Sequence, residues 1–402
     1  MAVSVVSSDP GQNPDMGARD GAGRARGTTI ERAAGGVTAG AVRPFWPQSM
    51  QVCPGLIDPP RLSPPLKSLD QGFIHTAATD ETVMWAEPGN GLNMRTLWTD
   101  TPYAVQRVAG LSEAGEITAG ERDDLIHFID HGWLVWPAAI DPDLIDRFAD
   151  AIHNHHRHPG KFLTTNHRQG QSGRKLSGTT PERFESLFDL YVNMDIAREV
   201  SLHPRICRFL SLIFDTQPVI CQQLLFQRSN GHRVHQDTSV VTIEDPMLMT
   251  ASWIALEDVV EGSGELGFYD RSHRLPHYIF KDGTKRMQFG DDDQDLYVNE
   301  LDAACRREGM TYERFLARKG DVFFWTADLV HRSHPRTLPE DASRLSCVTH
   351  YHPTTTTPFW FRHHPNRTRM LDYGDRGSYV SAHYSLAPKQ RGMIDVDSPF
   401  MG

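Results

Sequence analysis

Residues 234–238 read Val234-His235-Gln236-Asp237-Thr238, an imidazole and a carboxylate two positions apart in an apolar-flanked strand candidate over 234–243. Alternate residues of a strand project from one face, so the two side chains would converge on a single cation. Alone, the motif is weak. Twenty histidines and 34 aspartates in 402 residues give about 1.7 His-x-Asp matches by chance.

Its weight comes from residues further downstream. Gly320-Asp321 reads as a turn into the apolar strand Val322-Phe323-Phe324-Trp325; His331 stands just beyond it, and Arg344 opens a further strand, Leu345 to Val348. Two histidines and one carboxylate on one face of an iron ion leave three open positions, the arrangement of non-haem Fe(II) oxygenases. A 2-oxo acid fills two of these and dioxygen the third. The far carboxylate of a dicarboxylate co-substrate suits a planar guanidinium.

The surrounding pattern supplies a scaffold. Thr118 and Glu121 form a capping box for a helix with apolar Leu125, Ile126 and Ile129 that stops at Gly132. Trp133 to Trp136 is a short strand. Asp141 caps a second helix with Pro142 at its first position and Leu144, Phe148 and Ile152 along one face. Further helices are expected from Pro181 to Val192 and from Pro204 to Phe214. Strands are expected at 218–227, 234–243, 248–256, 265–269, 321–326 and 344–352. Helices followed by strands predict an α+β, mainly β chain whose β part closes on itself as a sandwich or barrel.

The outer segments are read differently. Residues 1–70, rich in Gly, Ala, Pro and Arg without a period, predict a disordered extension. Residues 71–115 form an irregular strap, and 116–402 a single domain with its β core at about 218–353. Within that core, 277–319 is an insertion bearing Asp291, Asp292, Asp293 and Asp295 and helical pattern, read as a solvated excursion or as a lid over a site.

Composition removes several function classes. A net charge of −10 argues against a broad basic nucleic-acid surface. No apolar run reaches the length of a membrane helix. Met1 to Gly11 lacks the basic and apolar regions of a secretory signal, so a cytoplasmic protein is expected. Cys53, Cys207, Cys221, Cys305 and Cys347 contain no Cys-x-x-Cys pair, which favours neither a disulfide framework nor a thiolate zinc site. His153, His155, His156 and His158 read as a solvated helix end rather than a second metal site. The partner expected is a small-molecule substrate; oligomeric state is left open.

The chain resembles the phytanoyl-CoA dioxygenase family of Fe(II)- and 2-oxoglutarate-dependent oxygenases over roughly 120–353. The resemblance is densest at His131-Gly132-Trp133-Leu134-Val135, from His203-Pro204 through Leu224-Leu225-Phe226 to His235-Gln236-Asp237-Thr238, from Leu248 through Trp253 to Ser272-His273-Arg274, and at Gly320-Asp321-Val322, His331-Arg332-Ser333 and Arg344-Leu345-Ser346. It implies a double-stranded β-helix (jelly-roll, cupin-like) core with flanking N-terminal helices. It also implies iron ligation by His235, Asp237 and His331, with Arg344 and Ser333 on the distal carboxylate of 2-oxoglutarate and Trp253 beside it. Gln236 and Gln223 fall near positions that line the co-substrate pocket. The expected reaction uses dioxygen to hydroxylate a small organic substrate or specialised metabolite, releasing succinate and CO2.

The sequence departs from the family pattern at Gly264-Glu265-Leu266, at Arg271-Ser272-His273 and at Gln227, where a lysine is common. None removes a ligand. His334 is the rival to His331, which alone carries the family's His-x-Ser spacing; His350 and His352 are pocket or core histidines. Two other classes remain open: a catalytically silent β-helix binding protein, and a non-redox metal enzyme on a similar barrel.

Overall fold

The computed structural model describes residues 5–7, 73–76, 83–86, 94–155, 164–165, 186–228, 231–241, 243–288, 292–339, 342–363 and 367–386. The expected extension over 1–70 lies outside them apart from Val5–Ser7, as do Pro181 and Asp291.

Two sheets face each other. Strands β1 (Trp133–Trp136), β2 (Pro218–Phe226), β3 (Thr250–Ala255), β6 (Val322–Thr326) and β8 (Ser346–Pro353) form the centre of the larger sheet in the order β2-β8-β3-β6-β1, antiparallel throughout. The smaller sheet is built on β4 (Leu266–Tyr269), flanked by β5 (Tyr312–Phe315) and β7 (His331–Ser333). Phe268 of the smaller sheet meets Trp133 and Phe323 of the larger at ring distances of 5.1 and 4.9 Å, so the inward faces share one apolar layer. This is the cupin-like double-stranded β-helix of an α+β chain.

Helices cover the outer face of the larger sheet: α1 (Ala104–Glu113), α2 (Ala119–His131), α3 (Pro142–His155), α4 (Asp195–Ser201) and α5 (Pro204–Phe214). Phe209 of α5 lies 5.0 Å from Phe324 and 5.5 Å from Trp136, residues that alternate with the inward-facing ones on their strands. The start of α2 is fixed as its sequence requires. The Glu121 backbone N–H donates to Thr118 Oγ1 at 3.2 Å, and the Thr118 N–H to the Glu121 carboxylate at 2.8 Å. Gly132 ends α2 at φ 79°, where a Cβ would stand 2.3 Å from His273 Nδ1, so only glycine fits. The Gly320-Asp321 turn also forms: Asp321 accepts the N–H groups of Ala138 and Arg318, both at 2.8 Å, and sets the entry of β6.

Three expectations change. Ser186–Phe188 is a strand rather than helix, because its apolar residues pair with Leu224 to Phe226 at the sheet. Residues 234–243 are not one strand: His235 makes a single antiparallel bridge to His331, and the chain then turns through a 3-10 segment, Asp237–Ser239. The 277–319 segment is only partly solvated, and it contributes to the barrel. Tyr312–Phe315 is a strand of the smaller sheet, His277–Ile279 pairs with Val83–Ala86, and Tyr297, Leu301 and Cys305 of α6 (Gln294–Arg307) are buried. The segment 71–115 contributes Val83–Ala86 and α1, and Trp98 donates its indole N–H to the Leu212 carbonyl. Among the described residues no helix is long and apolar enough to cross a membrane.

Candidate metal centre

The bridge between His235 and His331 puts two imidazoles side by side. Their backbone N–H and C=O groups exchange two 3.0 Å hydrogen bonds, and the rings stand 4.3 Å apart. His235 Nδ1 lies 2.8 Å from the Arg233 carbonyl and His331 Nδ1 2.9 Å from the Leu329 carbonyl. A carbonyl only accepts, so each Nδ1 donates to it, and each Nε2 is left turned towards Asp237. Asp237 Oδ1 faces both Nε2 atoms, at 3.7 and 3.6 Å. The three side chains are buried, and their ligating atoms lie within 4.8 Å of one another. Asp237 arrives there through the turn rather than through strand alternation.

Charge distribution favours the ligating forms. Burial, reinforced by the facing His331, pushes the His235 imidazole down to about 3. Burial alone would raise the Asp237 carboxyl; His331 and His350 outweigh it and hold the group well below the ordinary carboxylate range. A neutral His235 imidazole and an ionised Asp237 carboxylate suit a divalent first-row metal.

Arg344 lies just before β8 of the larger sheet, against the inward-facing Trp253. Its backbone N–H donates to the Gln227 carbonyl at 2.9 Å, which seats it at the start of β8. Its guanidinium is 5.7 Å from the Trp253 ring, donates to the Gly264 carbonyl and lies 3.4 Å from Ser346 Oγ. It is 3% exposed, its Nε has no acceptor, and no carboxylate among the described residues is within ion-pair distance. Burial lowers its affinity for the proton to about 10, so it remains a cation at neutral pH. Register places Trp253 and Val348 side by side on the same inward face. Ser333 shares the face of His331 on β7 and accepts the His232 N–H at 2.7 Å.

Gln223 and Gln236 are not brought to this group. Gln223 pairs in register with Thr349 on the helix-facing side, where its amide donates to Ser201 Oγ at 2.6 Å. Gln222, one residue earlier, is the residue opposite His350. The Gln236 side chain turns behind the motif and donates to the Asp328 carbonyl at 2.8 Å. His334 is also elsewhere: its Nε2 pairs with Tyr312 OH at 2.9 Å, beside Gly267, which lies opposite Arg332 on the outer side of the smaller sheet.

Sequence reasoning names neither Trp325 nor Asp328 for the site, and gives His350 only as a pocket or core histidine. Trp325, read only as part of an apolar strand, donates its indole N–H to Asp237 Oδ2 at 2.7 Å. His350 Nε2 stands 3.4 Å from the same oxygen. Asp328 is buried behind the ligands, accepting from Lys285 Nζ at 2.7 Å and from Thr238 Oγ1 at 2.7 Å. An aspartate inside the run Thr326 to Val330 was the available signal, since an unpaired buried carboxylate is too costly to keep.

The phytanoyl-CoA dioxygenase (PhyH) family profile matches residues 128–339. A comparison with curated protein sequences gave no match. Solved structures similar to this chain include the non-heme alpha ketoglutarate dependent epimerase SnoN from nogalamycin biosynthesis (17% identity, 64% of this chain and 85% of that one, TM-score 0.42). Others are EctD from S. alaskensis with 2-oxoglutarate and 5-hydroxyectoine (15%, 71% and 89%, TM-score 0.47) and HygX from Streptomyces hygroscopicus with nickel, 2-oxoglutarate and hygromycin B bound (13%, 59% and 88%, TM-score 0.39). The two-histidine, one-carboxylate donor set and the buried arginine fit the family's Fe(II) and 2-oxoglutarate. The match spans more than half of the sequence and includes the three clustered donors and the turn into His331: this chain belongs to the phytanoyl-CoA dioxygenase family.

Proposed function

We propose that the protein is an Fe(II)- and 2-oxoglutarate-dependent dioxygenase that hydroxylates a small organic substrate. The observation that carries this reading is Arg344, a buried cation whose Nε has no acceptor and whose guanidinium makes no ion pair among the described residues, with Glu265 and Glu257 acting on it only at longer range. A buried charge is retained where a partner of opposite sign completes it, and a dicarboxylate supplies one.

His235, Asp237 and His331 would hold the iron on one face, leaving the opposite face to co-substrate and dioxygen. Arg344, assisted by Ser333, would orient the distal carboxylate of 2-oxoglutarate, with the Trp253 ring as an apolar wall. When bound, iron with its co-substrate supplies the oxidant: one oxygen atom of O2 enters a C–H bond, the other enters succinate, and CO2 leaves. The chain contributes geometry and the exclusion of water, through the inward aromatic residues Trp133, Phe268 and Phe323.

Mixing Fe(II) and 2-oxoglutarate with the protein under anaerobic conditions tests this. A visible charge-transfer band is expected in the wild type and not in His235→Ala. No band in either, with both variants folded, refutes the reading.

A further inference from the structure

We propose that Trp325 and His350 are positioning residues that lock the Asp237 carboxylate so that Oδ1 alone serves as the metal-binding oxygen; the proposal rests on the metal site described above. The two oxygens of Asp237 have separate surroundings. Oδ1 faces the histidine Nε2 atoms at 3.7 and 3.6 Å. Oδ2 accepts the Trp325 indole N–H at 2.7 Å and has His350 Nε2 at 3.4 Å. A carboxylate on a short, single-bonded stem can rotate or chelate through both oxygens, and a good N–H donor on one of them opposes both.

The sheet register shows how this arrangement is built. One row of inward residues runs across five strands: Trp133, Trp325, Ala251, His350 and Gln222. Ala251 is the small member at the centre. Its methyl group leaves room for the flanking rings to lean over it, and these rings meet edge to face at 6.5 Å and 83°. Trp325 thus hydrogen-bonds Oδ2, and the His350 ring packs beside that oxygen from another strand without a hydrogen bond of its own. Trp325 also tilts against the His331 ring at 5.2 Å, so one side chain touches two of the three ligands. It is 2% exposed. The consequence is stoichiometric: a monodentate carboxylate keeps three coordination positions open, whereas a chelating one would leave two, too few for a chelating 2-oxo acid and dioxygen together.

The test uses Co(II), a redox-stable probe, titrated into wild type and Trp325→Phe against a competing chelator while the d–d absorption is recorded. Phenylalanine keeps an aromatic ring in the row and deletes the N–H. Affinity is expected to fall about ten- to a hundred-fold with a changed d–d spectrum. Wild-type affinity and spectrum in a folded Trp325→Phe protein overturn the proposal. If that variant fails to fold, His350→Leu and His350→Gln carry the test. Leucine, which removes the polar ring beside Oδ2, is expected to weaken Co(II) binding with an altered spectrum, and glutamine, which offers an N–H group there, to recover both; identical behaviour of the two overturns the proposal. A wild-type protein that binds no Co(II), or a His235→Ala protein that binds it as well as wild type, removes the metal site itself and the proposal with it.

Discussion

Replacing Lys285 by Met leaves Asp328 buried without its main cation. Both side chains are almost fully enclosed, 1% and 2% exposed, with Nζ 2.7 Å from Oδ2. At an effective dielectric of about 20 their attraction is about 6 kcal/mol, and breaking a buried pair from one side costs about 3–5 kcal/mol once neighbours respond. Those neighbours are the Thr238 hydroxyl at 2.7 Å and the His277 ring at 3.3 Å, which offset only part of the loss. Urea unfolding is expected to show a fall of about 3–5 kcal/mol in stability. A second variant, Lys285→Met with Asp328→Leu, should recover part of it, since no buried charge is then stranded.

The pH dependence has a definite sign. Burial would raise the Asp328 carboxyl, but Lys285 and His277 hold it well below the ordinary range. A depressed carboxylate contributes stability above its unfolded pKa, about 4, and loses it as pH falls towards the folded value. Without Lys285 the acid limb of the stability curve therefore moves to higher pH. A Lys285→Met protein within about 1 kcal/mol of wild type, with the acid limb unmoved, would refute the reasoning.

Other outcomes are equally specific. Arg344→Met should weaken 2-oxoglutarate by about 2–5 kcal/mol, read from a titration of the charge-transfer band, while Co(II) affinity stays near wild type. Thr118→Ala removes the hydroxyl arm of the α2 capping box and should cost about 1 kcal/mol in urea unfolding. Burial pushes the Cys207, Cys305 and Cys347 thiols up to about 12, so an aromatic disulfide reagent at about pH 8 should react with them only after denaturation.

Much of the fold was legible because it is local. The capping box at Thr118, the αL glycine at 132 and the Gly320-Asp321 turn are short-range devices, and each forms as written. His235, Asp237 and His331 cluster even though the strand expected at 234–243 does not form. What was hidden depends on register. Period-two alternation cannot say which of Gln222 and Gln223 faces inward; pairing with β8 decides it, beside a register shift at His350/Tyr351. Tyr312–Phe315 reads as polar because Arg314 pairs with Glu261 on the outer side of the smaller sheet, yet it is a barrel strand. Ser186–Phe188 takes the sheet because tertiary pairing overrides local preference. His350 looked like one of several strand histidines, and only the turn that delivers Asp237 gives it a role.

The central claim is that three clustered donors and a distant buried arginine serve one oxidative site. Its most direct measurement is the products formed from 2-oxoglutarate, detected by proton NMR after air is admitted to the Fe(II)-loaded protein. The account predicts succinate matched by released CO2 in wild type and none in His331→Ala. Succinate at the same rate from both proteins, or from neither, would contradict it.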